Sequence, residues 1–299
     1  MMIVNPKINI ILLNWNGLKD TLECLESLLK IDYANYEIVV VDNNSSGDDV
    51  EIIREQFGDF IKQIIVNKIN LGFSGGNNVA IDFAIKSNAD VVLLLNNDTI
   101  VEPDFLSKLV KASMEYPDAG ILTPMINYYS NKSIIWSAGG EISKIKASGF
   151  SFGYNNMNKF YRKNYYCTFA SGCCMYVKKE VFTKIGLLDE KYFLYLEDTD
   201  FCYRTYKAGF KILYAGESTI YHKVQSTTAR ENSLLPIYYS LRNRLYFAKK
   251  NFPVIYYLSV IYLLIVFFIK VLLSNHKRES LFAIKNSFYD FYANNMGRK

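Results

Sequence analysis

Cysteine is scarce in this 299-residue chain, and its spacing carries no pattern. The five are Cys24, Cys167, Cys173, Cys174 and Cys202. An odd count without any Cys-x-x-Cys excludes a disulfide framework and a zinc cluster. Buried free thiols in a reducing compartment are the expectation. No Gly-x-Gly-x-x-Gly follows the first apolar run, which disfavours a nicotinamide dinucleotide site. The loop there, Asn14-Trp15-Asn16-Gly17, also lacks the cation that a nucleotidyltransferase would use to grip a triphosphate. No internal repeat stands out. A strand begins at Ile8, so no signal peptide is expected.

Neither sign of charge dominates residues 1–230, where 24 Lys+Arg face 26 Asp+Glu; nucleic acid is not an expected partner. Residues 231–299 differ, with 10 basic and 3 acidic side chains. A near-neutral body therefore carries a basic tail, which suits an anionic membrane surface. Half of all residues are hydrophobic, enough for a substantial core in one large domain or two smaller ones. The expected division is a body over 1–230, with halves 1–100 and 101–230, and a tail over 231–299.

Strands and helices alternate in the first half. Ile8 to Leu13 is a near-continuous apolar run, as expected of a strand covered on both faces. A helix follows over Leu18 to Lys30, with Leu22, Leu25, Leu28 and Leu29 on one face. Glu37–Val41, Ile64–Val66 and Asp90–Leu95 read as further strands, and a Gly-rich loop precedes the helix that carries Val79 and Ala80. Pro103 is expected to open the next helix. This alternation implies a doubly wound, mostly parallel α/β sheet. The second half is less regular. Cys167 to Val177 reads as one strand, Asp198 to Ala208 as a helix stopped by Gly209, and Ile212 to Tyr221 as a strand that carries His222.

The tail holds Val254 to Leu273, twenty residues with one charge, Lys270. At about 1.5 Å per residue this just reaches the ~30 Å hydrocarbon core. Leu281, Ile284, Phe288, Phe291 and Tyr292 then recur at helical spacing, the pattern of an interfacial helix. The competing expectation is a helical pair packed on the body.

One acidic cluster and one strand end of amides and a single acid stand out. Glu197-Asp198-Thr199-Asp200 places three carboxylates in four positions beside the apolar run Tyr192-Phe193-Leu194-Tyr195. Mutual repulsion and desolvation make such a cluster costly unless a metal, a cation or a catalytic task uses it. About a hundred residues upstream, Leu93-Leu94-Leu95 ends in Asn96-Asn97-Asp98. Four loops fall after strands, where doubly wound sheets bind ligands: Asn14 to Gly17, Asp42 to Asn44, Asn70 to Asn78, and Asn96 to Asp98. Gly75 and Gly76 would permit close backbone approach to a phosphate, and Asp98 could hold a divalent metal. Singly each loop is ordinary turn chemistry. Together they suggest one site.

In these segments the chain resembles family 2 glycosyltransferases of the GT-A fold, in particular the bacterial rhamnosyltransferase-like branch. The resemblance covers most of residues 8 to 250. Its carriers are Leu13-Asn14-Trp15-Asn16-Gly17, Val41-Asp42-Asn43-Asn44-Ser45, Asn70-Leu71-Gly72-Phe73-Ser74-Gly75-Gly76-Asn77, Leu95-Asn96-Asn97-Asp98-Thr99, Ser171-Gly172-Cys173-Cys174-Met175, and Leu188-Asp189-Glu190 through Glu197-Asp198-Thr199-Asp200.

The resemblance implies an inverting transfer from a nucleotide-diphosphate sugar, with dTDP-L-rhamnose the first expectation and a UDP-sugar the alternative. Asp42 would bind the base, and Asn96 and Asn97 would lie near the ribose, with Asn14, Asn70, Gly76 and Asn77 completing the donor site. Asp98 would hold Mg²⁺ or Mn²⁺, although Asn96 stands where the first acid of that element often stands. His222 would be a further metal ligand. Asp198 would be the catalytic base, Glu197 its support, and Asp200 structural. The expected acceptor is a lipid-linked saccharide in bacterial surface polysaccharide synthesis, at the cytoplasmic face of the membrane. Homo-oligomerisation is the remaining partner expectation.

Overall fold

Strand β1 (Ile8–Asn14) buries Ile8, Ile10 and Leu12 on one face of a sheet and Ile11 on the other, so helices must cover both sides. The structure, a computed structural model, describes residues 5–224 and 234–299. After β1 come α1 (Leu18–Leu28), β2 (Tyr36–Asp42), α2 (Asp49–Phe57), β3 (Ile61–Val66), α3 (Gly72–Lys86), β4 (Val91–Asn96) and β5 (Thr99–Val101). Next are α4 (Phe105–Glu115), β6 (Ala119–Tyr128), β7 (Ile135–Ser137), β8 (Gly140–Ser143), β9 (Ser148–Ser151), β10 (Tyr165–Cys167), β11 (Cys174–Lys178), α5 (Lys179–Ile185), α6 (Glu197–Lys207) and β12 (Lys211–His222). The tail forms α7 (Leu235–Asn251), a 3-10 turn (Pro253–Ile255), α8 (Tyr256–Leu273) and α9 (Lys277–Tyr292).

The main sheet runs β10-β12-β6-β11-β4-β1-β2-β3. Strands β3, β2, β1 and β4 are parallel. Strand β11 enters antiparallel between β4 and β6, and β12 runs parallel to β6. The mostly parallel sheet expected from the alternation is present. Strands β2 and β3 lie to one side of β1 and β4 to the other. A crevice therefore opens beyond the carboxyl ends of β1 and β4, where doubly wound sheets take ligands.

Three local expectations are corrected. Pro103 precedes α4 by two residues rather than opening it; Asp104 stands at the cap position. The run Cys167–Val177 is split, because Cys167 pairs with Ile212 on β12 whereas Cys174 pairs with Leu95 on β4. Gly75 and Gly76 lie inside α3 rather than in a loop before it. A Cβ on Gly76 would come within 2.6 Å of Leu13 Cδ1 and 3.1 Å of Asn43 Nδ2, so contact with strand ends overrides the cost of glycine in a helix.

The tail packs on the body through α7. Leu241, Leu245 and Phe247 share a core with Tyr192, Leu196 and Phe267. Helix α8 buries Tyr256, Ser259, Leu263, Phe267 and Val271, one stripe at three- and four-residue spacing. Burying Leu263 and Phe267 stabilises this docking by about 1.5–3 kcal/mol each. The remaining face of α8 is apolar and exposed, including Tyr257, Ile261, Phe268 and Leu272. Among the described residues, Pro253–Leu273 is the one helix long and apolar enough to cross a bilayer. Helix α9 turns Ser280, Ala283, Ser287 and Phe291 inward and leaves Leu281 and Tyr292 exposed.

Candidate active site

The crevice at the end of β1 and β4 is lined by Leu13, Trp15, Asn43, Asn70, Phe73 and Asn96 to Asp98, and closed on one side by Phe193 and Leu194. Its enclosed part holds about 180 Å³. Asn43 organises the β2 end: its Nδ2 donates to Asn70 Oδ1 and to the Gly72 carbonyl, both at 3.0 Å. Asn97 Nδ2 donates to Thr21 Oγ1 at 2.8 Å, fixing the β4 loop against α1.

Segment 192–196 is pinned on its carbonyls. Phe73 N–H donates to Phe193 O at 2.7 Å and Ser74 Oγ to Tyr192 O at 2.7 Å. Gly72 has φ +73°, and a Cβ there would lie 2.3 Å from Phe193 O, so only glycine fits. Tyr195 and Leu196 follow with φ +69° and +73°. Two consecutive left-handed residues with side chains cost about 1–2 kcal/mol each. Asn243 of α7 offsets this: its Nδ2 donates to Leu194 O and Tyr195 O, both at 2.9 Å.

Asp98 meets His222 because β5 pairs antiparallel with the end of β12 in a register that sets Thr99 opposite His222. Asp98 Oδ2 lies 3.1 Å from His222 Nε2, and both residues are buried. The Trp136 ring packs edge-on against the imidazole at 4.5 Å. Asp98 Oδ1 and His222 Nδ1 are buried without a hydrogen-bond partner among the described residues. A buried carboxylate oxygen without a donor is unusual unless something binds there, whereas the unpartnered His222 Nδ1 is the ring nitrogen turned away from Asp98. Asp98 Oδ1, with His222 Nε2 released from Oδ2, could hold a divalent ion such as Mg²⁺ or Mn²⁺, which would supply positive charge beside a bound phosphate. Among the described residues no third His, Cys, Asp or Glu joins them.

Glu197 and Asp198 begin α6, directly after the strained pair. Asp198 Oδ2 accepts from Gly172 N–H at 3.0 Å, and Oδ1 accepts from Thr199 N–H at 2.6 Å and Thr199 Oγ1 at 3.3 Å. Glu197 Oε2 is buried without a partner among the described residues. Burial, then the neighbouring Asp198, holds the Glu197 carboxyl well above the usual range. Burial also raises Asp198, against the pull of its hydrogen bonds from Gly172 and Thr199. Donors stabilise the ionised form, and Asp198 accepts three such bonds whereas Glu197 Oε2 accepts none among the described residues. Asp198 opens into a second cavity of about 430 Å³ with Ser148, Gly149, Tyr195, Pro236, Ser240 and Lys270. Gly172 lies between the two cavities: its Cβ position is 3.4 Å from both Asp198 Cβ and Phe73 Cζ.

The crevice thus gathers Asn70, Asn96, Asn97 and Asp98, with His222 beside it. Asn14, Asp42, Gly76 and Asn77 stand behind the wall. Asn14 Nδ2 donates to Asp42 Oδ1 at 3.0 Å and to Asp49 Oδ2 at 2.8 Å. Asp42 Oδ1 also accepts from Ser45 Oγ at 2.6 Å, and Oδ2 accepts from Ser45 N–H at 3.0 Å. Asn77 Nδ2 donates to Phe73 O at 2.9 Å. Asp200 is fully buried and structural as expected, bonded to Arg204 Nε at 2.7 Å and Lys250 Nζ at 2.9 Å. All five cysteines are free and buried. Trp136, Phe193, Leu194 and Asn243 carry no role that sequence alone assigns; the aromatic run before Glu197 is the one signal for the middle two.

The profile of the family described as "Glycosyltransferase like family 2" matches residues 6–248. The chain belongs to this family. Among relatives of this family 2 glycosyltransferase is the low-salt glycan biosynthesis hexosyltransferase of Haloferax volcanii, 28% identical over 70% of this chain and 66% of the relative. The N-acetylglucosaminyl-diphospho-decaprenol L-rhamnosyltransferase of Mycobacterium tuberculosis is 25% identical over 48% of this chain and 50% of the relative. A dTDP-rhamnosyl transferase of Shigella flexneri is 23% identical over 83% and 82%. The chain spans less than two thirds of the first relatives' own length, 66% and 50% for the two named first. Two solved structures share its GT-A fold. One is GalNAc-T7 with UDP, GalNAc and Mn²⁺, at TM-score 0.64 and 17% identity over 82% of this chain and 48% of that one. The other is a Pyrobaculum calidifontis mannosyltransferase with GDP-mannose and Mn²⁺, at 0.60 and 14% over 97% and 76%.

Proposed function

We propose that the chain is an inverting, metal-dependent hexosyltransferase that moves L-rhamnose from dTDP-L-rhamnose to a lipid-linked glycan at the cytoplasmic face of the membrane. One observation carries this reading. The crevice with Asn70, Asn96, Asn97 and Asp98 and the cavity with Asp198 meet across Phe73 and Gly172. A diphosphate sugar seated in the crevice would present its anomeric carbon toward the acid cavity. The enclosed volume is below the ~300–1,000 Å³ of ordinary ligand pockets, so the donor extends outward along the open side. The base would lie at the Asn43 end of the crevice; Asp42, expected to bind it, stands behind the wall and would act through the Ser45 and Asn14 contacts. Asp98 and His222 would hold the divalent ion, which neutralises the charge developing on the diphosphate.

Asp198 then takes the proton of the acceptor hydroxyl. That oxygen bonds to the anomeric carbon from the face opposite the diphosphate, and the carbon–oxygen bond to the diphosphate breaks with its electron pair. Protonated Glu197 adds no second negative charge beside the base. Support for rhamnose and for a lipid diphosphate comes from the names of the Shigella and mycobacterial relatives. Support for a membrane site comes from the exposed apolar face of α8 and the basic tail. The deciding experiment is a screen of nucleotide sugars, with Mg²⁺, Mn²⁺ or chelator, for donor hydrolysis and thermal stabilisation. Stabilisation and hydrolysis by dTDP-L-rhamnose with metal are expected. Selective response to a UDP-sugar would replace the donor, and no response to any nucleotide sugar would overturn the reading.

A further inference from the structure

The cavity beside Asp198 has an unexpected wall. Pro236, Ile237 and Ser240 of α7 and Lys270 of α8 complete it, so the tail supplies part of the site. Lys270 is the one charge in Val254–Leu273. Among the described residues it pairs with no carboxylate. Its Nζ sits 4.9 Å from the Phe267 ring centre, and the Arg244 guanidinium lies 6.0 Å from the same ring. Arg244 donates to the Lys146 carbonyl and has no carboxylate partner either among the described residues. Two cations flanking one ring without an anion leave an uncompensated positive field at the cavity mouth.

The same turn of α8 borders a second space. Phe267 and Val271, with Leu264 and Phe268 of α8 and Leu281 and Phe288 of α9, line an apolar groove of about 360 Å³. Asp198 and the unpaired ammonium of Lys270 therefore line one cavity, and the apolar groove begins on the same turn of α8 as Lys270. That order matches a ligand with a sugar hydroxyl, a phosphate and a hydrocarbon chain.

We infer that this surface binds the acceptor as a lipid-anchored saccharide phosphate: hydroxyl at Asp198, phosphate at Lys270, chain along the α8–α9 groove. This rests on the transferase reading for the role of Asp198, whereas the phosphate and chain subsites do not depend on the donor. Lys270 is exposed at the cavity mouth, and a charge-assisted contact to phosphate is among the stronger polar interactions. Bulk phospholipid offers the same phosphate chemistry, so the test separates the two.

The full chain in neutral detergent micelles, with chelator and no nucleotide, is titrated with farnesyl diphosphate and with farnesol. Farnesyl diphosphate is expected to bind at least about tenfold more tightly. Lys270→Met should abolish that preference and Lys270→Arg should retain most of it. Binding to phosphatidylglycerol vesicles should change less than twofold in Lys270→Met. Equal binding of the two probes, an unchanged preference in folded Lys270→Met, or a parallel loss of vesicle binding would each overturn the assignment. Because neither donor nor turnover is measured, failure here leaves the result of the donor screen intact, and failure of that screen leaves this titration readable.

Discussion

Asn243 Nδ2 reaches from α7 to the Tyr195 carbonyl at 2.9 Å, one residue before the left-handed cap that launches Asp198. The backbone ahead of Asp198 is thereby held from outside the strand–helix body. Asn243→Ala removes three hydrogen bonds, leaving the Leu194 and Tyr195 carbonyls short of a donor and Arg242 Nε short of an acceptor, at a cost of about 1–3 kcal/mol. Turnover should fall while nucleoside diphosphate affinity stays within about twofold, since Asn243 does not line the crevice. Steady-state kinetics and calorimetry on the same preparation check this; equal losses in both would make Asn243 a general stabiliser.

Asp198→Asn keeps the side chain's shape and removes the base. Turnover should drop by about 10²-fold or more with little change in donor affinity. Near-normal turnover would move the role to another group.

Asp98→Ala should erase the advantage that Mg²⁺ or Mn²⁺ gives to nucleoside diphosphate binding. Calorimetry with metal and with chelator measures the difference directly. Equal binding by the native protein under both conditions would remove Asp98 and His222 from that task.

Glu197 gives a pH signature. Its folded value lies well above the usual one because of burial and then Asp198. From the unfolded value near 4.5 upward, the unfolded chain loses the proton that the folded chain keeps, so stability falls with rising pH until the folded value is passed. The slope is at most about 1.4 kcal/mol per pH unit. Glu197→Gln should flatten it, with the variant gaining on the native protein between pH 5 and 7 in denaturant titrations. Parallel curves would show that Glu197 ionises normally.

Ile261 and Leu272 lie on the exposed face of α8. Ile261→Glu with Leu272→Glu should release the protein from membranes without lowering its melting temperature appreciably, because neither side chain is buried. Native protein retained through a salt wash and lost in the double variant is the expected fractionation. Native protein in the soluble fraction at low salt would reject the membrane reading.

Much of this was legible because strands and turns obey local rules. β1, β2 and β4 announced themselves as apolar runs, and the loops after them carried the amides of the crevice. That Asp98 and His222 belong together was implied by the family resemblance alone, not by their positions at strand ends. What sequence hid was set by long-range contact. Gly75 and Gly76 looked like loop because helix propensity opposes them, and only the closeness of Leu13 and Leu71 explains their place. Nothing in Cys167–Val177 marked the change of partner strand at Ser171-Gly172. Helix α9 turned Ser280, Ala283 and Ser287 inward because Ser287 Oγ donates to Tyr238 O and small side chains allow that approach. A lone asparagine in a helix, Asn243, gave no signal at all.

Only Phe252 and a single 3-10 turn separate α7 from α8. There is no slack between the helix that braces Asp198 and the helix that presents an oily face. On the proposed reading, the height of the base above the bilayer would be a fixed dimension of the molecule, as on a depth gauge. Acceptors would be measured by how far their hydroxyl stands from the lipid anchor, and glycans one sugar too short or too long would miss the base even with every contact to the donor in place.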